Sequence, residues 1–162
     1  MNLTSMLPKQ IPNILLATFL FMAFIGFADA AYLTAKHYAG LIPPCSLVNG
    51  CETVLTSPYA TIVWNIPIAL VGTVYYLILV ISGVVYLDTK NMAVLKSAAY
   101  FTIAGFLTSL VLVSLQFFVI QALCLYCIAS AITSMLLFIL GIVILRKLKQ
   151  TDTIENMPVL VR

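Results

Sequence analysis

Between Lys96 and Arg146 the chain carries no charged residue. A stretch this long without charge is hard to place in a water-soluble fold, yet it is long enough for two membrane helices. At 1.5 Å per residue, a helix needs about 20 apolar residues to cross a bilayer. Four spans meet that length: about Ile11–Leu33, Ile66–Leu87, Ser97–Ile120 and Leu123–Leu145. Composition points the same way. Apolar residues make up 63 % of the 162 and charged residues 8 %, against about 25 % charged in soluble domains. Mean hydropathy is +1.14. The predicted fold is an all-α integral membrane protein, a four-helix transmembrane bundle. A cysteine-bearing exoplasmic loop over residues 34–65 carries a half-helix at Ser57–Trp64. Residues 1–149 form the transmembrane domain, and 150–162 form a short cytoplasmic tail.

Ala28-Asp29-Ala30 has the A-x-A form of a signal-peptidase site. The apolar run before it is long and an acid sits at its centre, so the first span is read as a retained helix. Orientation follows from the Lys/Arg count. Lys9 precedes span one, Lys90 and Lys96 lie between spans two and three, and Arg146, Lys147 and Lys149 follow span four. The opposite side holds only Lys36. The chain is therefore read as multi-pass, with both termini inside and its cysteines on the exoplasmic side of the cell (inner) membrane.

The cysteines are Cys45, Cys51, Cys124 and Cys127. All four fall on or near the exoplasmic face, the oxidising side. Two pairs there point to two disulfides, a metal site or a redox relay. Cys124 and Cys127 share one face at the start of span four. Unpaired N–H groups and the helix dipole at such a start favour a thiolate. The pair lies at the edge of the hydrocarbon layer, where a lipid-soluble partner can reach it. Cys45 and Cys51 flank a polar segment with an Asn49-Gly50 turn signal. A small loop of this kind can close into a disulfide that a soluble protein can reach. The five-residue spacer between them exceeds the roughly two to four residues usual for zinc. Ile128, rather than His, follows Cys127, which excludes a c-type haem site.

The order of motifs resembles the vitamin K epoxide reductase family, specifically its prokaryotic disulfide-forming members. It runs from a cysteine pair in the first loop through "CETVLTSPY" and "NIPIALVG" to C-x-x-C opening span four. "GFADAAYLTAKHY" adds to the resemblance, which covers about residues 14–145. In DsbB-type enzymes the C-x-x-C lies in the first loop instead. The resemblance implies that Cys45 and Cys51 are the shuttle pair and that Cys124 and Cys127 are the active-site pair. A thioredoxin-fold, DsbA-like oxidase would reduce the first disulfide. Cys51 would attack Cys124, and Cys127 would face a quinone drawn from the membrane pool. Each step is thiolate attack through a mixed disulfide. Ser57 matches a serine that the family places near the redox site. It would donate to a quinone carbonyl or a thiolate, or else serve as a helix N-cap before Pro58.

The implied quinone pocket is lined by Leu55, Ile68, Tyr75, Ile120 and Ala131. Vertebrate members carry a tyrosine at the position of Ala131 and an asparagine at that of Ile68. These departures point to ubiquinone or menaquinone rather than to vitamin K epoxide. The sequence ends soon after span four, so the thiol partner is expected to be a separate protein. Neither a metal nor a nucleic acid is expected. The competing readings are a non-catalytic four-span protein with two structural disulfides, and a quinone or vitamin K epoxide reductase.

Asp29 is an ionisable residue within a span and so a functional candidate, unless it snorkels to the interface. His37 is read as a solvated loop residue. Tyr59 and Trp64 are interfacial anchors or pocket residues. Gln116 and Gln121 are expected to face the bundle interior. Gly72, Gly83 and Gly105 are expected to permit close helix packing.

Overall fold

The computed structural model describes residues 11–44, 50–62 and 66–155. The elements run in order: α1 (Asn13–Tyr38), α2 (Gly50–Leu55), a 3₁₀ turn (Pro58–Ala60), β1 (Thr61–Ile62), β2 (Ile66–Pro67), α3 (Ile68–Thr89), α4 (Met92–Leu115) and α5 (Leu125–Glu155). A π-helical turn over Gln116–Ile120 continues α4. Four helices, α1, α3, α4 with its π turn, and α5, are long and apolar enough to cross a membrane. The chain is a four-helix membrane bundle.

Three helix ends differ from their hydropathy boundaries, and the largest difference is at α5, which runs past Leu145 to Glu155. α1 runs on through Thr34, Lys36 and His37 to Tyr38. α4 starts at Met92, before Lys96, because Asn91 Oδ1 accepts from the Ala93 N–H at 2.9 Å and caps it. Hydropathy marks the part of a helix that suits lipid, while caps mark where it ends. Lys90, at φ 53°, closes α3 in the left-handed conformation that ends many helices.

The half-helix is not where the sequence placed it. It lies at Gly50–Leu55, while the Ser57–Trp64 segment begins as extended chain. Ser57 precedes proline and adopts φ −66°, ψ 154°, as the proline ring requires. After one 3₁₀ turn, Thr61 pairs with Pro67 and Ile62 with Ile66, antiparallel. The β-branched Thr61 and Ile62 suit that extended backbone. Trp64 lies outside the described residues.

α1 packs on α3 and α5, and α4 packs on α5 and α3. The interior is built from Phe19, Ala23, Leu79, Leu95, Ala99, Leu137 and Ile144. Outside, Phe21, Phe24, Val84, Leu107 and Val111 are exposed, and Phe118 is 82 % exposed. That much outward apolar surface needs lipid as its solvent. Lipid gives no hydrophobic drive between helices, so close packing and polar contacts must hold them. Thr34 and Thr73 hydroxyls meet at 3.0 Å between α1 and α3. The Tyr76 hydroxyl donates to the Ser130 carbonyl at 2.9 Å between α3 and α5. At Gly105 the Tyr75 ring of α3 occupies the space a side chain would need on α4.

Short connections make α3, α4 and α5 antiparallel in turn, and α1 runs antiparallel to α3, with Ala30 beside Gly72, Gly26 beside Tyr76 and Leu20 beside Gly83. One end of the bundle therefore gathers the C-terminus of α1, all of α2, the π turn, and the starts of α3 and α5. Cys51, Cys124 and Cys127 lie at that end, as does Lys36. Lys90, Arg146, Lys147 and Lys149 lie toward the other.

Candidate functional site

The site is built around the reversal between α4 and α5. Gln121 ends the π turn with φ 54°. The link after it exposes backbone N–H groups that helix geometry leaves unpaired. Gln116 takes two of them. Its carbonyl accepts from Ala122 N–H at 3.3 Å, and its side-chain Oε1 accepts from Cys124 N–H at 3.1 Å. Gln116 is buried, as expected of a polar residue with a partner inside the bundle. Gln121 is exposed instead, because the left-handed turn swings it outward.

Cys124 is the N-cap of α5, since its carbonyl accepts from Ile128 N–H at 3.0 Å. The Cys127 thiol hydrogen-bonds to its sulfur, and the N–H groups of Cys127 and Tyr126 also point at it. These donors outweigh desolvation and the more distant Asp29 charge, and pull the Cys124 thiol down to about 7. The helix start thus favours a thiolate at Cys124. Cys124 and Cys127 are free thiols.

Cys51 is disulfide-bonded. It sits on α2 and shares one buried cluster with Val54 and Cys124. Leu55, Ile120, Tyr126 and Cys127 pack around that cluster. Gly50 permits this approach. A methyl there would lie 2.5 Å from the Leu123 carbonyl oxygen and 2.7 Å from its nitrogen. Asn49-Gly50 therefore does more than turn the chain, since Gly50 opens α2 and rests it on the backbone next to Cys124. Tyr126 adds a tie, its ring 5.6 Å from that of Tyr32 and its hydroxyl donating to the Pro44 carbonyl at 3.3 Å. Cys45 lies outside the described residues.

Beneath the cysteines is a cavity of about 590 Å³ walled by all four long helices and α2. Small-molecule pockets span about 300–1,000 Å³. Leu55, Ile68, Tyr75, Ile120 and Ala131 all line it, with Ser57 and Cys127. Cys124 thus shares a buried cluster with Cys51, while Cys127 lines the cavity. Ser57 donates its proton to the Val54 carbonyl at 2.7 Å. It makes no side-chain cap to the 3₁₀ turn, so its oxygen is left to accept. Two buried polar atoms of the cavity wall, Asp29 Oδ2 and the Tyr75 hydroxyl, have no hydrogen-bond partner among the described residues. His37 also lines the cavity, and its ring stands edge-on to Tyr38 at 5.8 Å. Among the described residues no group of three His, Cys, Asp or Glu converges as a metal would need.

Sequence reasoning missed the contact at Gly50, the tie at Tyr126, and the Tyr76 hydroxyl with Ser130 and Ser134. Helical spacing held a signal for the last. Ser130 and Ser134 follow Cys127 at i+3 and i+7, on one face of α5.

The class defined by this architecture is a four-helix membrane protein with a bonded cysteine stacked on a free C-x-x-C pair above an apolar cavity. Residues 17–142 match the Vitamin K epoxide reductase family, and the chain belongs to that family. It is similar to "Thiol-disulfide oxidoreductase LTO1" of Arabidopsis thaliana, with 32 % identity over 122 residues. That match covers 70 % of this chain and 32 % of the relative, so the chain spans about a third of the relative's length.

Proposed function

We propose that the protein is a quinone-dependent thiol–disulfide oxidoreductase that supports disulfide formation outside the cytoplasm. A thioredoxin-fold, DsbA-like partner gives its electrons to a Cys45–Cys51 disulfide. The freed Cys51 thiolate passes them to a Cys124–Cys127 disulfide, which exchange leaves as the dithiol. One observation carries the reading: bonded Cys51 and free Cys124 share one buried cluster while Cys127 lines the cavity.

The cavity residues fit a quinone. Leu55, Ile68, Ile120 and Ala131 offer apolar wall for a ring, and the unpartnered Tyr75 hydroxyl offers a donor for a ring oxygen. When bound, a quinone supplies a two-electron acceptor, and the chain supplies position and the dithiol. The wall has no hydroxyl or amide at Ala131 or Ile68, which favours ubiquinone or menaquinone over vitamin K epoxide. The cysteine end is assigned to the exoplasmic side of the inner membrane, with both termini inside. The concentration of Lys and Arg at the other end supports this.

Replacing Cys51 with alanine tests the reading. Acid trapping and non-reducing gels should then show a mixed disulfide between Cys45 and a thioredoxin-fold protein. If no adduct forms in Cys51→Ala, or if Cys124–Cys127 stays oxidised in the unmutated chain whatever the quinone supply, the relay is wrong.

A further inference from the structure

Oxidising a dithiol releases protons as well as electrons, and the cavity that Cys127 faces is mostly apolar. Among the described residues that line it, Asp29 is the one carboxyl. Its Oδ2 is buried with no hydrogen-bond partner. A carboxyl in a membrane helix is costly and needs something to pair with. No described side chain or backbone group pairs with this oxygen, which leaves it open to a partner that comes and goes. The thiol of Cys127 and a ligand in the cavity are the groups that do so. The Asp29 charge also acts on Cys124 across the same space. Tyr75, the other unpartnered group in the wall, is a donor and so marks where an acceptor oxygen rests.

We propose that Asp29 carries the proton that leaves Cys127 when the inner disulfide forms, and delivers it toward the quinone oxygens. The inference rests on the proposed function and adds a proton path to it. The balance is as follows. Cys124 enters as thiolate, having released its proton to the aqueous side. The Cys124–Cys127 S–S bond forms, the Cys127 S–H bond breaks, and two electrons leave for the quinone. The Cys127 proton goes to the Asp29 carboxylate and from there follows the electrons. The second proton of the quinol is taken from water, matching the one that Cys124 released. Asp29 ends as it began.

The test uses the full chain in lipid nanodiscs, as wild type, Asp29→Asn and Asp29→Glu. The first readout needs no quinone. Infrared difference spectra between the dithiol and disulfide states should show a carboxyl C=O band that changes in wild type. It should vanish in Asp29→Asn and return, shifted, in Asp29→Glu. A spectrum without that band overturns the proposal, whatever the turnover shows. The second readout is reduction of a short-chain ubiquinone with dithiothreitol as electron donor. General acid–base transfer is worth about 10²–10⁴-fold, so kcat in Asp29→Asn should fall about 100-fold, with KM for the quinone near wild type. Asp29→Glu should recover most of the rate. A raised KM with unchanged kcat, or no recovery in a folded Asp29→Glu, would instead give Asp29 a packing role and overturn the proposal. If wild type fails to reduce the quinone at all, the proposed function falls, and the infrared band alone decides the role of Asp29.

Discussion

Replacing Gly50 with alanine should slow electron transfer between the two cysteine pairs. The added methyl would sit 2.5 Å from the Leu123 carbonyl oxygen, where ordinary contact begins at 3.4 Å, so α2 must retreat by about 0.9 Å. The obstacle is backbone and cannot rotate away as a side chain would. Overpacking of this kind costs about 1–3 kcal/mol in stability. The larger effect is on geometry, because Cys51 is the next residue and packs in the same buried cluster as Cys124. A misplacement of about 1 Å can cost roughly 100-fold in rate. The assay reduces the outer pair, quenches with an alkylating agent over time, and follows by mass spectrometry when the thiols at Cys124 and Cys127 appear. Gly50→Ala should slow that arrival about 100-fold while the outer pair reacts with its reductant as before. Wild-type transfer with an unchanged unfolding temperature would refute the reasoning, because α2 would then not be seated on Leu123.

Three further outcomes follow from the geometry. Gln116→Leu strands the buried Cys124 N–H and should cost about 1–3 kcal/mol, read as a lower unfolding temperature in lipid; an unchanged temperature would remove Gln116 from the support of α5. Cys124 reactivity toward iodoacetamide should rise as pH increases through about 7, where its thiol titrates. The first cause of that lowered value is the Cys127 hydrogen bond. Cys127→Ala should therefore shift the midpoint upward toward the ordinary thiol range, measured with Cys45 and Cys51 replaced by alanine; an unmoved midpoint would contradict the pairing. Gly105→Ala collides with the Tyr75 ring and should force it into the cavity, raising KM for a short-chain ubiquinone while leaving the outer pair's reaction with dithiothreitol unchanged.

The helices were legible because a bilayer imposes length and apolarity, and both can be read directly from "FTIAGFLTSLVLVSLQFFVI" and its counterparts. The C-x-x-C at a helix start was legible for a similar reason, since the last hydrophobic run begins there. The half-helix was misplaced because Thr-Ser-Pro does start a helical turn, with Ser57 at its N-cap position, but that turn ends after Ala60 and the chain runs on into a short β pairing. Gly50 looked like turn chemistry because its contact with Leu123 joins segments far apart in sequence, which no local pattern reports. Gln116 and Gln121 were equivalent as sequence. A single left-handed residue at the end of the π turn separates them, burying one against Cys124 and turning the other out.

The transfer from Cys51 to Cys124 is the central claim, and a variant that keeps only those two cysteines tests it most directly. With Cys45 and Cys127 replaced by alanine, the protein is oxidised mildly in lipid and digested without reductant. The account predicts one intrachain Cys51–Cys124 disulfide in the peptide map. If both thiols remain open to alkylation after oxidation, Cys51 does not reach Cys124, and the relay is contradicted.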